Sequence, residues 1–128
     1  MMKISLIENV KFQAECRNHK VTTDQPIEDG GSDAGMSPVE LLIASLGTCI
    51  GYYVSLFCQR RRVSAAGLKV ELDWQFAENP HRIGSIEVRI TLANKLDEKD
   101  RAGLLRMARG CTVHNTLDSK PETKIILT

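Results

Sequence analysis

The chain has 128 residues, 42% of them hydrophobic, which is enough for one domain with a real core and too few for two comfortable ones. Seventeen basic against sixteen acidic side chains leave a formal charge of +1, so there is no global electrostatic reason to wrap nucleic acid or coat a membrane. Four irregularly spaced cysteines do not make a disulfide scaffold, and the opening MMKISLIENV has neither a charged leader running into an apolar stretch nor a small-residue cleavage site; a cytoplasmic chain with reactive or buried thiols is expected.

Met2, Ile4 and Leu6 suggest a first strand. Val10, Phe12, Ala14 and Cys16 then alternate with Lys11, Gln13 and Glu15, the period of a half-buried strand. Arg17-Asn18-His19 reads as a turn and Lys20 to Asp24 as a returning strand, giving a meander, and residues 25–36 are loop-like in their Gly, Pro and Asp content. Ser37 as N-cap, Pro38 at the first helical position and Glu40 three residues after Ser37 form a capping box, with Met36 and Leu41 placed for a hydrophobic staple. The helix runs through 41–58 without a charge and stops at Gln59-Arg60-Arg61-Arg62, where cations suit a C-terminus.

This run reaches the lower limit for a membrane span, and Gly47 and Gly51 form a GxxxG pair. The flanking strands each present one apolar face that a departing helix would leave bare, so a buried central helix is expected. Ala44, Ser45, Gly47, Thr48 and Gly51 keep it thin enough for another helix, or a second copy of itself, to approach. Leu68, Val70, Leu72, Trp74 and Phe76, then Ile86, Val88, Ile90 and Leu92, alternate with polar residues around a loop at Glu78-Asn79-Pro80, a hairpin with one wet face. Asp97 caps a second helix over 98–109 with the stripe Ala102, Leu105 and Ala108, ended by Gly110. Cys111 to Leu117 reads as a short helix and Lys124 to Leu127 as a final strand. The expected class is α+β, one domain over 1–128, without repeats, a phosphate-binding loop or a dinucleotide motif.

Among groups able to do chemistry, Cys49 lies mid-helix, where desolvation alone would raise a thiol's pKa and leave it inert. Cys111 follows Gly110 and opens a short helix, whose free N–H groups and dipole should stabilise a thiolate. Cys16 and Cys58 read as packing residues, Cys58 falling on the side of the helix opposite Cys49. His114, three residues after Cys111, makes a Cys–His pair or half a metal site conceivable, but a zinc site needs more ligands and neither His19 nor His81 stands in a paired spacing. A surface or helix-end role for His114, with no metal and no cofactor, is the expectation. The cationic run Arg60-Arg61-Arg62 reads as a solvated helix end.

Residues 37–49, SPVELLIASLGTC, resemble the central-helix signature of the OsmC/organic hydroperoxide resistance family. Asp29-Gly30-Gly31-Ser32-Asp33 and Gly110-Cys111-Thr112-Val113 resemble further segments of that family, and the element order matches over nearly the whole chain. The resemblance implies an OsmC-like fold in an intertwined homodimer, with the redox site at the subunit interface. It implies Cys49 as the peroxidatic thiol, Cys111 as the resolving thiol, Arg17 as the arginine that holds the first cysteine as thiolate, and Glu40 as a supporting residue. The implied activity is a thiol peroxidase that reduces organic hydroperoxides through a sulfenate-to-disulfide cycle, is re-reduced by an external dithiol, and serves the response to oxidative stress. Val39 stands where the family's peroxidases usually carry glutamate, and Thr112 where a proline is common. The alternative is a non-catalytic dimeric module on the same fold that senses redox state or binds a small molecule.

Overall fold

The computed structural model describes residues 1–128. Its elements are β1 (Met2–Glu8), β2 (Lys11–Cys16), β3 (His19–Thr23), α1 (Pro38–Arg61), β4 (Lys69–Ala77), β5 (Arg82–Thr91), α2 (Glu98–Arg109) and α3 (Thr112–Asp118). The chain divides into two compact units, Met1–Ala44 and Ser45–Thr128, and α1 starts in the first and continues in the second.

In the first unit β1, β2 and β3 form an antiparallel meander. The first turn takes Asn9, at φ 49, together with Val10, so β2 starts one residue later than the alternation suggested. The second turn is Arg17-Asn18, with Arg17 in the left-handed region at φ 55, and His19 already pairs with Cys16. Ile4, Ala14 and Val21 stand in one cross-strand row, Leu6, Phe12 and Thr23 in another. Residues directly opposite share a face, and this apolar face is left uncovered: Ile4 is 59% exposed, Leu6 60%, Phe12 39% and Val21 41%.

The loop after β3 is organised by a residue that the strand pattern did not distinguish. Asp24 is buried, and its carboxylate accepts hydrogen bonds from the Gln25 N–H (2.8 Å), the Ser32 N–H (3.1 Å) and hydroxyl (2.7 Å), and the Ala34 N–H (3.1 Å). A carboxylate so well supplied with donors is favoured in its charged form. Ser32 first, then the three backbone N–H groups, outweigh burial and hold Asp24 at about 2. Gly31 lets the loop close, because a Cβ there would collide with the Gln25 carbonyl and come within 2.8 Å of Asp24 Oδ1. Asp24→Asn should therefore lower the melting temperature at neutral pH and release the amides of residues 25–34 to exchange, since the new amide group sets a donor against donors. The folded pKa is depressed, so this stabilisation is complete above about pH 4 and is lost as pH falls through about 2. Thermal melts of the two proteins should converge in acid; identical melts at pH 7 would refute the role.

The capping box forms as expected: Glu40 Oε2 accepts the Ser37 N–H at 2.7 Å, and Ser37 Oγ accepts the Glu40 N–H at 3.3 Å. At its far end α1 closes with Arg62 at φ 54, the Val63 N–H reaching Cys58 O (2.9 Å) and the Arg62 N–H reaching Gln59 O (3.3 Å), a Schellman arrangement with arginine in the usual glycine place. Arg61 is tied to Asp100 at 2.9 Å.

The second unit holds the core. Leu46, Ile50, Val54, Phe57 and Cys58 of α1 are buried with Leu104 and Ala108 of α2 and with Cys111. Val70, Leu72, Ile86, Val88 and Ile90 pack against this cluster from one face of the β4–β5 hairpin, and the other face carries Asp73, Glu87 and Arg89, with Arg89 bridging both acids. Thus α1, long and apolar enough to span a membrane, is a core helix that buries one face against sheet and helix. Two of its small residues receive the hairpin: a Cβ on Gly47 would lie 2.6 Å from Leu72 Cδ1, and one on Gly51 3.7 Å from Val70 Cγ2, whereas Ser45 and Thr48 face outward. On α2 the buried positions are Leu104 and Ala108, Ala102 is exposed, and Gly103 lets the Phe57 ring approach.

One expected element is absent. Lys124 to Leu127 forms no strand, and Ile125, Ile126 and Leu127 are 93%, 67% and 99% exposed. Their β propensity is satisfied only beside another strand, and no strand of this chain pairs with them.

Candidate functional site

Two cysteines far apart in sequence meet in the second unit. Cys49 sits half-buried on α1 against the core cluster to which Cys111 belongs, Cys111 is wholly buried at the N-cap of α3, and the Cys49 thiol is near enough to raise the Cys111 pKa. All four cysteines are free thiols.

Local sequence explains how Cys111 arrives there. The chain passes through Gly110 at φ −85 and turns at once into α3, with Cys111 extended at φ −65, ψ 147. As cap, its Sγ accepts the His114 N–H at 3.3 Å. His114 Nδ1 donates to the Arg109 carbonyl at 2.7 Å, and Asn115 Nδ2 to the Gly110 carbonyl at 3.2 Å. The His114 ring is thus a helix-end group: its backbone, not its imidazole, contacts the Cys111 sulfur, and its Nε2 lies 3.9 Å from Asp118 Oδ2. No set of three or more His, Cys, Asp or Glu side chains is gathered for a metal ion.

The expectation that a helix start would lower the Cys111 pKa fails on burial. Desolvation pushes this thiol up, the neighbouring Cys49 thiol adds to the rise, and the His114 and Val113 N–H groups pull it back without prevailing. Partial charges at a helix start act on a thiolate that has almost no access to water. Cys58, buried in the core, is likewise pushed up by burial, and Cys16 is half-buried at the end of β2.

Tyr53 and Thr112 border the pair; the sequence marked Thr112 only as standing where a proline is common, and Tyr53 not at all. Tyr53 is one helical turn beyond Cys49, and its hydroxyl lies 3.2 Å from Thr112 Oγ1. The i, i+4 spacing of an aromatic hydroxyl from a candidate thiol was the available signal. Arg17 stands exposed at the tip of the β2–β3 turn, without a hydrogen bond or ion pair inside the chain, and belongs to the first unit, whereas both sulfurs belong to the second. The Glu40 carboxylate is engaged in the cap of α1.

Chemically, this is a dithiol with unequal members. Cys49 is the more open to an approaching reagent; Cys111 is sealed, holds its proton and lies next to it. Such a pair suits attack on an electrophile by one sulfur followed by closure to a disulfide.

A family model described as OsmC-like protein matches residues 30–126. No curated protein matches the chain by sequence. Among solved structures, the chain is similar to one described as an osmotic stress induced and detoxification response protein from Psychrobacter arcticus 273-4, with TM-score 0.83, 24% identity, and 90% of this chain and 85% of that one covered. It is also similar to an OsmC-like protein from Mycoplasma pneumoniae, with TM-score 0.76, 19% identity, and 94% and 87% covered. A third is an organic hydroperoxide resistance protein OsmC from Legionella pneumophila, with TM-score 0.66, 17% identity, and 91% and 87% covered. At these identities the structural likeness shows the fold, an α+β arrangement shared by all three.

Proposed function

The chain belongs to the OsmC-like family, and from that premise we propose that it is a thiol peroxidase that reduces organic hydroperoxides through Cys49 and Cys111. The observation that carries this reading is the gathering of the two thiols on one core cluster, close enough for Cys49 to raise the Cys111 pKa, with one half-buried and one sealed. The Cys49 thiolate attacks the peroxide; the O–O bond breaks, sulfur is oxidised to a sulfenic acid, and the alcohol leaves with a proton. Cys111 then attacks that sulfur; an S–S bond forms, the S–O bond breaks, and the hydroxyl leaves with the Cys111 proton as water. An external dithiol, itself oxidised, restores both thiols by exchange. Tyr52 and Tyr53, three and four residues after Cys49 on α1, favour a substrate with an apolar tail over hydrogen peroxide.

In this reading Arg17 is the cation that keeps Cys49 ionised, its guanidinium being unpaired within the chain, and Glu40 supports the site by capping the helix that carries Cys49. The two units act as one domain, and the exposed thiol chemistry belongs to the reducing cytoplasm and to the defence against oxidants. Purified protein given an organic hydroperoxide and excess dithiol tests the activity: consumption well above that of dithiol alone supports it, and a rate equal to dithiol alone sinks it. The sealed state of Cys111 favours a second reading, a redox sensor oxidised once and slowly reset; a single turnover without steady consumption would select it.

The functional unit is a homodimer. Its support is the uncovered apolar face of β1–β3, with the exposed Tyr52 (62%) and the bare Ile125–Leu127 segment. An uncovered apolar sheet face of this kind marks an interaction site. Sedimentation should give the mass of two chains for the wild type and a shift toward one for Leu6→Lys, whose charge would enter the covered face; a wild type that sediments as one chain refutes the dimer.

A further inference from the structure

We propose that Tyr53 is a positioning residue for the cysteine pair: its hydroxyl, through Thr112, clasps the start of α3 to α1 and so sets how readily Cys49 and Cys111 join. The inference rests on the reading of those thiols as a redox pair.

The attachments of α3 divide into two sets. His114 and Asn115 bond back to the Arg109 and Gly110 carbonyls, so they fasten α3 to the end of α2. These bonds would travel with α3 if it swung away from α1. The tie across to α1 is Tyr53 Oη to Thr112 Oγ1 at 3.2 Å. Thr112 is the first residue of α3 and directly follows Cys111, and Tyr53 is one turn beyond Cys49. The clasp therefore lies beside both sulfurs, one residue from one and one turn from the other. Helix α3 itself is seven residues long and contains no fully buried side chain; the core holds its start through the cap, Cys111, and the partly buried Val113, and the hydroxyl tie is the further fastener there. The tie is also solvent-facing, so water competes for it and its loss should loosen the helix start without unfolding the core. Disulfide closure needs the two sulfurs at bonding distance with a narrow dihedral, and a looser α3 lowers the share of time spent there.

The test uses the full-length protein and the variants Tyr53→Phe, Thr112→Val, Thr112→Ser and the double Tyr53→Phe/Thr112→Val. Two quantities are read. One is the rate at which iodoacetamide labels Cys111, followed by peptide mass spectrometry; the other is the dithiol–disulfide equilibrium of Cys49 with Cys111 in buffers of oxidised and reduced dithiothreitol. Loss of one hydroxyl tie should raise Cys111 labelling and lower the closure constant, each by about threefold to tenfold. Thr112→Ser, which keeps the hydroxyl, should behave as the wild type. The double variant should be no worse than either single one, because both remove the same bond. A merely structural effect would instead lower the melting temperature and label Cys58 as well.

If Tyr53→Phe and Thr112→Val label and close like the wild type, the clasp is refuted. If both variants unmask Cys111 but the wild type forms no Cys49–Cys111 disulfide in any buffer, the clasp stands and the redox-pair reading falls. If Thr112→Ser is as impaired as Thr112→Val, the hydroxyl is not the agent and the inference is overturned.

Discussion

Cys49→Ser should reduce thiol-dependent hydroperoxide consumption by at least about a hundredfold, because a serine hydroxyl does not ionise near neutral pH and cannot accept oxygen as a sulfur does. Cys111→Ser should behave differently. Its Cys49 still meets peroxide, so one equivalent of alcohol forms in the first turnover, and a sulfenic-acid trap added at that moment should label Cys49. Steady turnover should then fall by about tenfold or more, since the reductant has to reach a half-buried sulfenate that no internal thiol has converted to a disulfide. The asymmetry follows from burial: Cys111 has no exposed surface, so a peroxide cannot reach it first. The decisive comparison is alcohol produced per chain in the first seconds. If Cys49→Ser makes a full equivalent and Cys111→Ser makes none, the roles are reversed and access through the buried side has to be explained.

The closing step should carry a pH signature of its own. Cys111 attacks as the thiolate, and burial pushes its pKa above the ordinary thiol range despite two backbone N–H groups that oppose the rise. Below its pKa the thiolate fraction grows about tenfold per pH unit, so single-turnover disulfide formation should accelerate about tenfold from pH 7 to pH 8. It should show no plateau at about 8.5, where a solvated thiol would level off. The same shift has a stability consequence of definite sign. The fold prefers the protonated thiol, so Cys111 lowers stability as pH rises above about 8.5, the unfolded value, and has no effect well below it. Rapid-quench thiol counting across about pH 6.5 to 9.5 reads the rate. A profile flat above pH 7 would mean that burial does not govern Cys111.

What the amino-acid order made legible was what physics decides locally. Ser37 and Glu40 lie within one turn, so their reciprocal cap could be read directly, and so could Asp97 at the start of α2. Alternation located the strands of both sheets because side-chain facing in a strand follows from spacing alone. The errors arose where a distant partner decides. Lys124 to Leu127 has the composition of a strand but pairs with no strand of its own chain. Gly47 and Gly51 announced a close neighbour but not which one, and it is β4. The dipole at Cys111 was visible in Gly110-Cys111; the burial that overrides it depends on α1 and α2, which lie elsewhere in sequence. Asp24 escaped notice because its partners are mostly backbone N–H groups, which every residue has. The Cys49–Cys111 pairing came from resemblance, and Tyr53–Thr112 from neither pattern nor resemblance.

The sulfur of Cys111 has two occupations that cannot both be held fully. In the reduced chain its lone pairs receive the His114 amide and thereby start α3. Once joined to Cys49, the same atom has exchanged its S–H bond for an S–S bond and is turned by the geometry of that bond. The first turn of α3 would then be held by a weaker and reoriented acceptor at the moment the electrons are spent, so oxidation reaches backbone order as well as a covalent bond. A reductase arriving at the disulfide would meet a loosened turn instead of a sealed helix start, which gives the oxidised form a recognisable shape and the reduced form a closed one.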